Sequence, residues 1–148
     1  MPTNPVQSGQ SEKVPVLKSP ASFSILIVDD HELIRQGVRF IFSRDSRFTI
    51  CVEAANGAEA VEQVKKMHPD VVVLDISMPV MNGLEAATEI RRLAPATKIV
   101  ILTMHDSAQM RKQSQSAGAD GFVTKSQVAS HLLQVVESLM QVREAHVP

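Results

Sequence analysis

Residues 71–83 read VVVLDISMPVMNG, and the order of residue types in that stretch decides the fold. Four apolar residues, Val71 to Leu74, run without alternation and stop at Asp75. A strand with one wet face alternates apolar and polar residues, whereas a strand buried on both faces of a helix-covered parallel sheet does not. Pro79 and Gly83 then shape a loop, and from about Leu84 to Leu93 apolar residues return at helical spacing. The stretch is therefore a βα unit that carries a carboxylate at the carboxyl end of its strand.

The same unit recurs outward in both directions. Ile25 to Val28 and Ile99 to Leu102 are further unbroken apolar runs, which makes three central strands with Val71 to Leu74. Phe48, Ile50 and Val52 instead alternate with Thr49, Cys51 and Glu53, the pattern of an edge strand. A short GFV run at 121–123 supplies the fifth. Between the runs lie helical stripes: Leu33, Ile34, Gly37, Val38, Ile41 and Phe42, then Ala60, Val61, Val64 and Met67, and last Val128, Leu132, Val135, Val136 and Leu139. Gly37 inside its helix predicts a close packing contact. The helix expected from Ser107 to Ala117 offers only Ala108, Met110 and Ala117 to a core, so it should be the most weakly held. Five βα units give an α/β fold around a parallel sheet.

The chain has 148 residues, 44% hydrophobic and 21% charged, enough for one domain with a sizeable core. Its first 22 residues place Pro2, Pro5, Pro15 and Pro20 among Ser, Gln, Thr and Asn, and predict a disordered leader. The folded domain is expected over 23–142, followed by a tail or linker start at 143–148. A formal net charge of −1 without a basic run argues against direct nucleic-acid binding. Cys51 is the single cysteine, which excludes an intrachain disulfide and a cysteine metal cluster. The apolar runs are too short to span a bilayer, so the expectation is a cytoplasmic protein with no membrane partner.

The polar residues fall in one pattern. Asp29 and Asp30 follow the first strand, Asp75 ends the third, Thr103 the fourth, and Lys125 follows the fifth. In an open parallel sheet these carboxyl ends meet at one crevice where strand order reverses. Converging carboxylates repel, by roughly 4 kcal/mol per pair at about 4 Å and an effective dielectric near 20, so a cation is expected among them. Oxygen donors without cysteine favour a hard ion that keeps its waters, and Mg2+ is the natural candidate. Lys125 can neutralise a phosphoryl oxygen and the Thr103 hydroxyl can donate to another. Asp75 is then free to attack phosphorus, since a carboxylate is already ionised at neutral pH and needs no general base.

With these residues in place, ILIVDDH, VVVLDISMPVMNG, VILTMH and GADGFVTKS resemble the receiver domain of two-component response regulators, from about Ser24 to Met140. The stretch DDHELIRQGVR is similar to the NarL/FixJ-type subgroup. The resemblance implies a flavodoxin-like fold, a five-stranded parallel sheet of order 2-1-3-4-5 flanked by five helices. It implies phosphorylation of Asp75 by the phosphohistidine of a sensor histidine kinase or histidine phosphotransfer protein. By the same analogy Asp30, Asp75 and the Ser77 backbone carbonyl hold the magnesium ion, with Asp29 acting largely through water. Thr103 and Phe122 would form the switch, and Ser77 and His105 would flank the path of the water that hydrolyses the acyl phosphate. The family also implies an output, through a homodimer, a downstream effector protein, or a C-terminal DNA-binding domain beyond this sequence.

Each residue has a plainer role. Asp30 could cap the following helix, Lys125 could be a solvated charge, Thr103 a strand former and Phe122 core filler. Ser77 and His105 could be ordinary loop residues, and His31, His68, His131 and His146 show no ligand spacing. It is the ordered set of strand ends that favours the phosphoacceptor reading. Two alternatives compete with it. A haloacid-dehalogenase-type Mg2+-dependent phosphohydrolase would need a second aspartate two residues after Asp75, where Ser77 stands. A receiver-like scaffold that takes no phosphate would be expected to have lost one of these groups.

Overall fold

The computed structural model describes residues 22–141, so the expected leader up to residue 21 and the expected tail lie outside the described residues. The order of elements is β1 (Phe23–Val28), α1 (Glu32–Ser43), β2 (Phe48–Ala54), α2 (Gly57–Met67), β3 (Val71–Asp75), α3 (Gly83–Leu93), β4 (Lys98–Thr103), α4 (Ala108–Ser116), β5 (Gly121–Thr124) and α5 (Val128–Met140). A single 3-10 turn, Lys125–Gln127, links β5 to α5. All strand pairs are parallel and the sheet order is β2-β1-β3-β4-β5, as expected.

Alternate residues of the central strands feed two separate cores. Leu26, Val28, Val72, Leu74, Ile99 and Ile101 meet Ala60, Val61 and Val64 of α2 and Ala86, Ala87 and Ile90 of α3. Ile25, Ile27, Val71, Val73, Val100 and Leu102 meet Val38 and Phe42 of α1 and Leu132 and Val136 of α5 on the other side. This double burial is why those runs carry no polar alternation. The strand residues Ile25 to Val28, Val71 to Leu74 and Ile99 to Leu102 are all fully buried. β2, paired only with β1, is one edge of the sheet, and Cys51 is half-buried strand filler whose thiol donates to the Ile25 carbonyl at 3.4 Å.

Helix starts follow local chemistry. The Asn56 side chain accepts from the Glu59 N–H at 2.9 Å, and Ser107 accepts from the Met110 N–H at 3.0 Å. Asn82 and Glu85 form a reciprocal capping box at the head of α3. Two readings of α1 are corrected. Leu33 is 79% exposed and a Cβ on Gly37 would meet nothing within 4 Å, so neither packs on the sheet. The inward stripe is the narrower set Ile34, Val38, Ile41 and Phe42, spaced by four, three and one, and Leu33 and Gly37 lie about 100° round the helix from it. Met67 is likewise 44% exposed at the end of α2. α4 is thinly anchored as expected, although by different residues: Met110 and Ala117 are partly buried, Ala108 is exposed, and Ser114 is the helix's one buried side chain.

Candidate functional site

Strand register brings the polar residues together. Val28 pairs with Leu74, so the next residues along, Asp29 and Asp75, leave the sheet side by side; Thr103 pairs with Thr124, which sets Lys125 beyond it. Asp29 and Asp75 are almost completely buried. The Lys125 Nζ lies 3.0 Å from Asp29 Oδ2 and 3.0 Å from Asp75 Oδ1, bridging the two carboxylates. Asp75 Oδ2 is buried and has no hydrogen-bond partner. A cleft of about 680 Å³ opens over these groups and is lined by Asp30, His31, Asp75, Ser77, Thr103 and Lys125, with Leu33 and Met104 at its rim.

The surrounding backbone fixes Asp75 tightly. The Ile76 N–H donates to the Leu102 carbonyl at 3.1 Å, and the Gly83 N–H donates to the Ile76 carbonyl at 2.8 Å. A Cβ on Gly83 would stand 2.1 Å from the Asp75 carbonyl oxygen, so only glycine allows α3 to start this close. Between them the loop makes a three-residue turn in which the Met81 N–H donates to the Pro79 carbonyl at 2.7 Å. The central residue, Val80, has φ of 71°, a costly conformation for a β-branched side chain, and is 82% exposed. On the other side Arg35 donates to the Asp29 carbonyl at 2.6 Å and to Glu53 at 3.0 Å, which ties the β1–α1 turn to β2.

Electrostatics follow from the packing. Burial pushes the Asp75 carboxyl above its ordinary value, the Lys125 hydrogen bond pulls it partly back, and the Asp29 charge adds to the rise. Burial acts to lower the Lys125 ammonium, but its bonds to Asp75 and Asp29 outweigh that and raise it. Three carboxylates, Asp29, Asp30 and Asp75, face one ammonium, which leaves two formal negative charges at the cleft. A divalent cation would cancel them, and the unpartnered Asp75 oxygen is a donor ready for it. These oxygen donors fit a hard ion such as Mg2+.

The switch candidates are placed less simply. The Thr103 hydroxyl is engaged with its own loop, donating to the His105 carbonyl at 3.2 Å and accepting from the His105 N–H at 3.3 Å. Phe122 is half-buried, and the Arg111 guanidinium lies over its ring, 4.6 Å from the centroid. Arg111 is itself held by both oxygens of Asp106, at 2.7 and 3.0 Å. Ser77 lines the cleft, whereas His105 is exposed and reaches the site through its backbone. Asp30 does not cap α1: the N-cap is His31, and it makes no side-chain capping bond. Sequence spacing missed two participants, Arg111 and His31, and in the structure the His31 Nδ1 lies 3.2 Å from an oxygen of each of Asp29 and Asp30.

The sequence pattern of the response regulator receiver domain matches residues 25–137, which is most of the chain and spans all of these groups. The chain belongs to this family. This receiver is 43% identical over 78% of its length to a putative transcriptional regulator of Pseudomonas aeruginosa, covering 56% of that protein. It resembles a two-component response regulator of the LuxR family from Aurantimonas sp. with a TM-score of 0.77 and 35% identity, over 82% of this chain and 87% of that one. It also resembles a chain of the CheX-CheY-BeF3-Mg complex from Borrelia burgdorferi with a TM-score of 0.75 and 31% identity, over 80% of this chain and 89% of that one. The receiver spans about half the length of the first two curated relatives it matches. Among the described residues no helix is long and apolar enough to cross a membrane.

Proposed function

We propose that this receiver accepts a phosphoryl group on Asp75 from the phosphohistidine of a sensor histidine kinase or histidine phosphotransfer protein. One observation carries the reading. Asp75 is buried at the floor of an open cleft, with one oxygen held by Lys125 and the other unpartnered. A bond forms between an Asp75 carboxylate oxygen and phosphorus as the phosphorus–nitrogen bond of the donor breaks. The electron pair stays on the imidazole nitrogen, which takes a proton from solvent as it leaves. Lys125 turns from bridging carboxylates to pairing with a phosphoryl oxygen, and the Thr103 hydroxyl leaves the His105 backbone to donate to another. A magnesium ion would be held by Asp30, Asp75 and the Ser77 backbone carbonyl, with Asp29 acting through water, and would supply charge neutralisation at the transferring group.

The Thr103 movement frees the β4–α4 loop, and Phe122 and the thinly anchored α4 then change the surface on that side. Beyond this transfer and the slow hydrolysis of its own acyl phosphate, with Ser77 and His105 beside the water path, the domain turns over no substrate. The protein acts in the cytoplasm; its partners are the sensor histidine kinase or histidine phosphotransfer protein and, for output, a homodimer, an effector protein, or a DNA-binding domain continuing the chain. Ser77 stands where a phosphohydrolase of the haloacid dehalogenase type would need its acid. Intact-mass analysis after incubation with acetyl phosphate and Mg2+ tests the reading. One phosphoryl adduct is expected on the wild type and none on Asp75→Asn or in excess chelator; labelling that survives either change refutes it.

A further inference from the structure

His31 belongs to the same acidic cluster, although its position next to Asp30 in sequence gives no ligand spacing. Its Nδ1 lies 3.2 Å from Asp29 Oδ1 and 3.2 Å from Asp30 Oδ1, and the three donor atoms all fall within 4.8 Å of one another. The Asp29 oxygen also accepts from the His31 backbone N–H at 2.9 Å, so that approach is a hydrogen bond, while the spacing to Asp30 Oδ1 is close to the about 3.0 Å that separates two ligands each about 2.1 Å from one ion at right angles. The ring is at the head of α1 but makes no capping bond to the helix. Its nitrogen faces the carboxylates. The independent sign that this cleft takes an ion is Asp75 Oδ2, an unpartnered oxygen of a side chain only 3% exposed, lining the same cleft.

Resting on the cation site proposed above, we infer that His31 is a nitrogen ligand of the divalent ion, so that this site favours borderline transition ions such as Mn2+, Ni2+ and Zn2+ over Mg2+. An oxygen-only site discriminates little between Mg2+ and Mn2+ of similar geometry, while an imidazole adds affinity for ions that accept nitrogen and little for Mg2+. In the ion-free protein a hydrogen on Nδ1 can sit between the two carboxylate oxygens. To hold an ion through Nδ1 the ring would carry its hydrogen on Nε2. The His31 side chain is 66% exposed, which lets the ring adjust and lets it be replaced without disturbing the core.

The test is pulsed electron paramagnetic resonance of Mn2+ bound to the full chain, with Mg2+ affinity read by competition. Wild type is expected to show nitrogen modulation from one imidazole. His31→Ala should lose that modulation and bind Mn2+ at least about tenfold more weakly, the loss that even an outer partner of a metal site costs. Its Mg2+ affinity should change by less than about twofold, because Mg2+ is held by oxygen. Circular dichroism confirms that the variant is folded. Bound Mn2+ without nitrogen modulation overturns the inference and leaves the oxygen site standing. Modulation that persists in His31→Ala, or a Mg2+ affinity that falls in step with Mn2+, also overturns it. No bound Mn2+ in the wild type overturns the cation reading as well.

Discussion

Gly83→Ala sets a single methyl group against the backbone that carries Asp75. The new Cβ would lie 2.1 Å from the Asp75 carbonyl oxygen, 2.7 Å from Ile76 Cα and 2.9 Å from the Asp75 carbonyl carbon, all backbone atoms of a buried strand end. Normal contact needs more than an ångström of additional separation, so α3 must move away from β3 or Asp75 must shift. Overpacking of this kind costs about 1–3 kcal/mol, and the better helix propensity of alanine returns at most about 1 kcal/mol. A net loss of about 1–2 kcal/mol, at about 4 °C per kcal/mol for a domain of this size, lowers the midpoint by about 4–8 °C. Gly37→Ala is the matched control, because nothing stands within 4 Å of its Cβ in the middle of α1. There the propensity term acts alone and should add about 1 kcal/mol, or about 4 °C. The chain has no Trp or Tyr, so far-ultraviolet circular dichroism is the suitable probe of melting. Phosphorylation by acetyl phosphate should fall in Gly83→Ala and be unchanged in Gly37→Ala. A Gly83→Ala protein that melts at or above wild type, with normal labelling, would refute the close-approach reasoning.

Asp75→Asn should stabilise the ion-free protein at neutral pH. The folded carboxyl titrates above its ordinary value, so the native state holds more protons between the two values, and wild-type stability falls as pH rises through that window. The variant, which cannot ionise there, should lose that part of the slope in denaturant melts across acid to neutral pH. Arg111→Ala removes a cation–π contact worth about 0.5–1 kcal/mol, so the population in which the Phe122 ring leaves its half-buried place beneath Arg111 should rise about two- to fivefold. Ring-labelled phenylalanine NMR of the unphosphorylated protein reads it, and unchanged ring shifts would show that Arg111 does not hold the ring. Val80→Gly relieves the positive φ and should raise the midpoint of melting by an amount equivalent to about 1 kcal/mol, whereas a lowered midpoint would show that the turn is unstrained.

Much of this was legible in residue order because the fold buries its central strands twice. Unbroken apolar runs at 25–28, 71–74 and 99–102 can satisfy only a parallel sheet with helices on both faces, and the alternating run from Phe48 to Glu53 marks the edge. Asp29, Asp75, Thr103 and Lys125 were readable for the same reason, since strand ends in such a sheet share one rim. What depends on side-chain direction was not readable. Whether Leu33 and Gly37 face inward turns on about 100° of helix rotation, which a stripe of six candidate residues does not resolve. The approach of His31 to the carboxylates depends on the geometry of the β1–α1 turn. The stacking of Arg111 on Phe122 joins a helix to a strand beyond its end, and a helix with so little apolar surface carries no periodic signal of it.

The central claim is that Asp75, and no other carboxylate of the cleft, receives the phosphoryl group. Reduction of the phosphorylated protein with borohydride converts an aspartyl phosphate to homoserine, which peptide sequencing by mass spectrometry locates. Homoserine at position 75 alone is the predicted result. Homoserine at position 29 or 30, or none after labelling that depends on Mg2+, would contradict it.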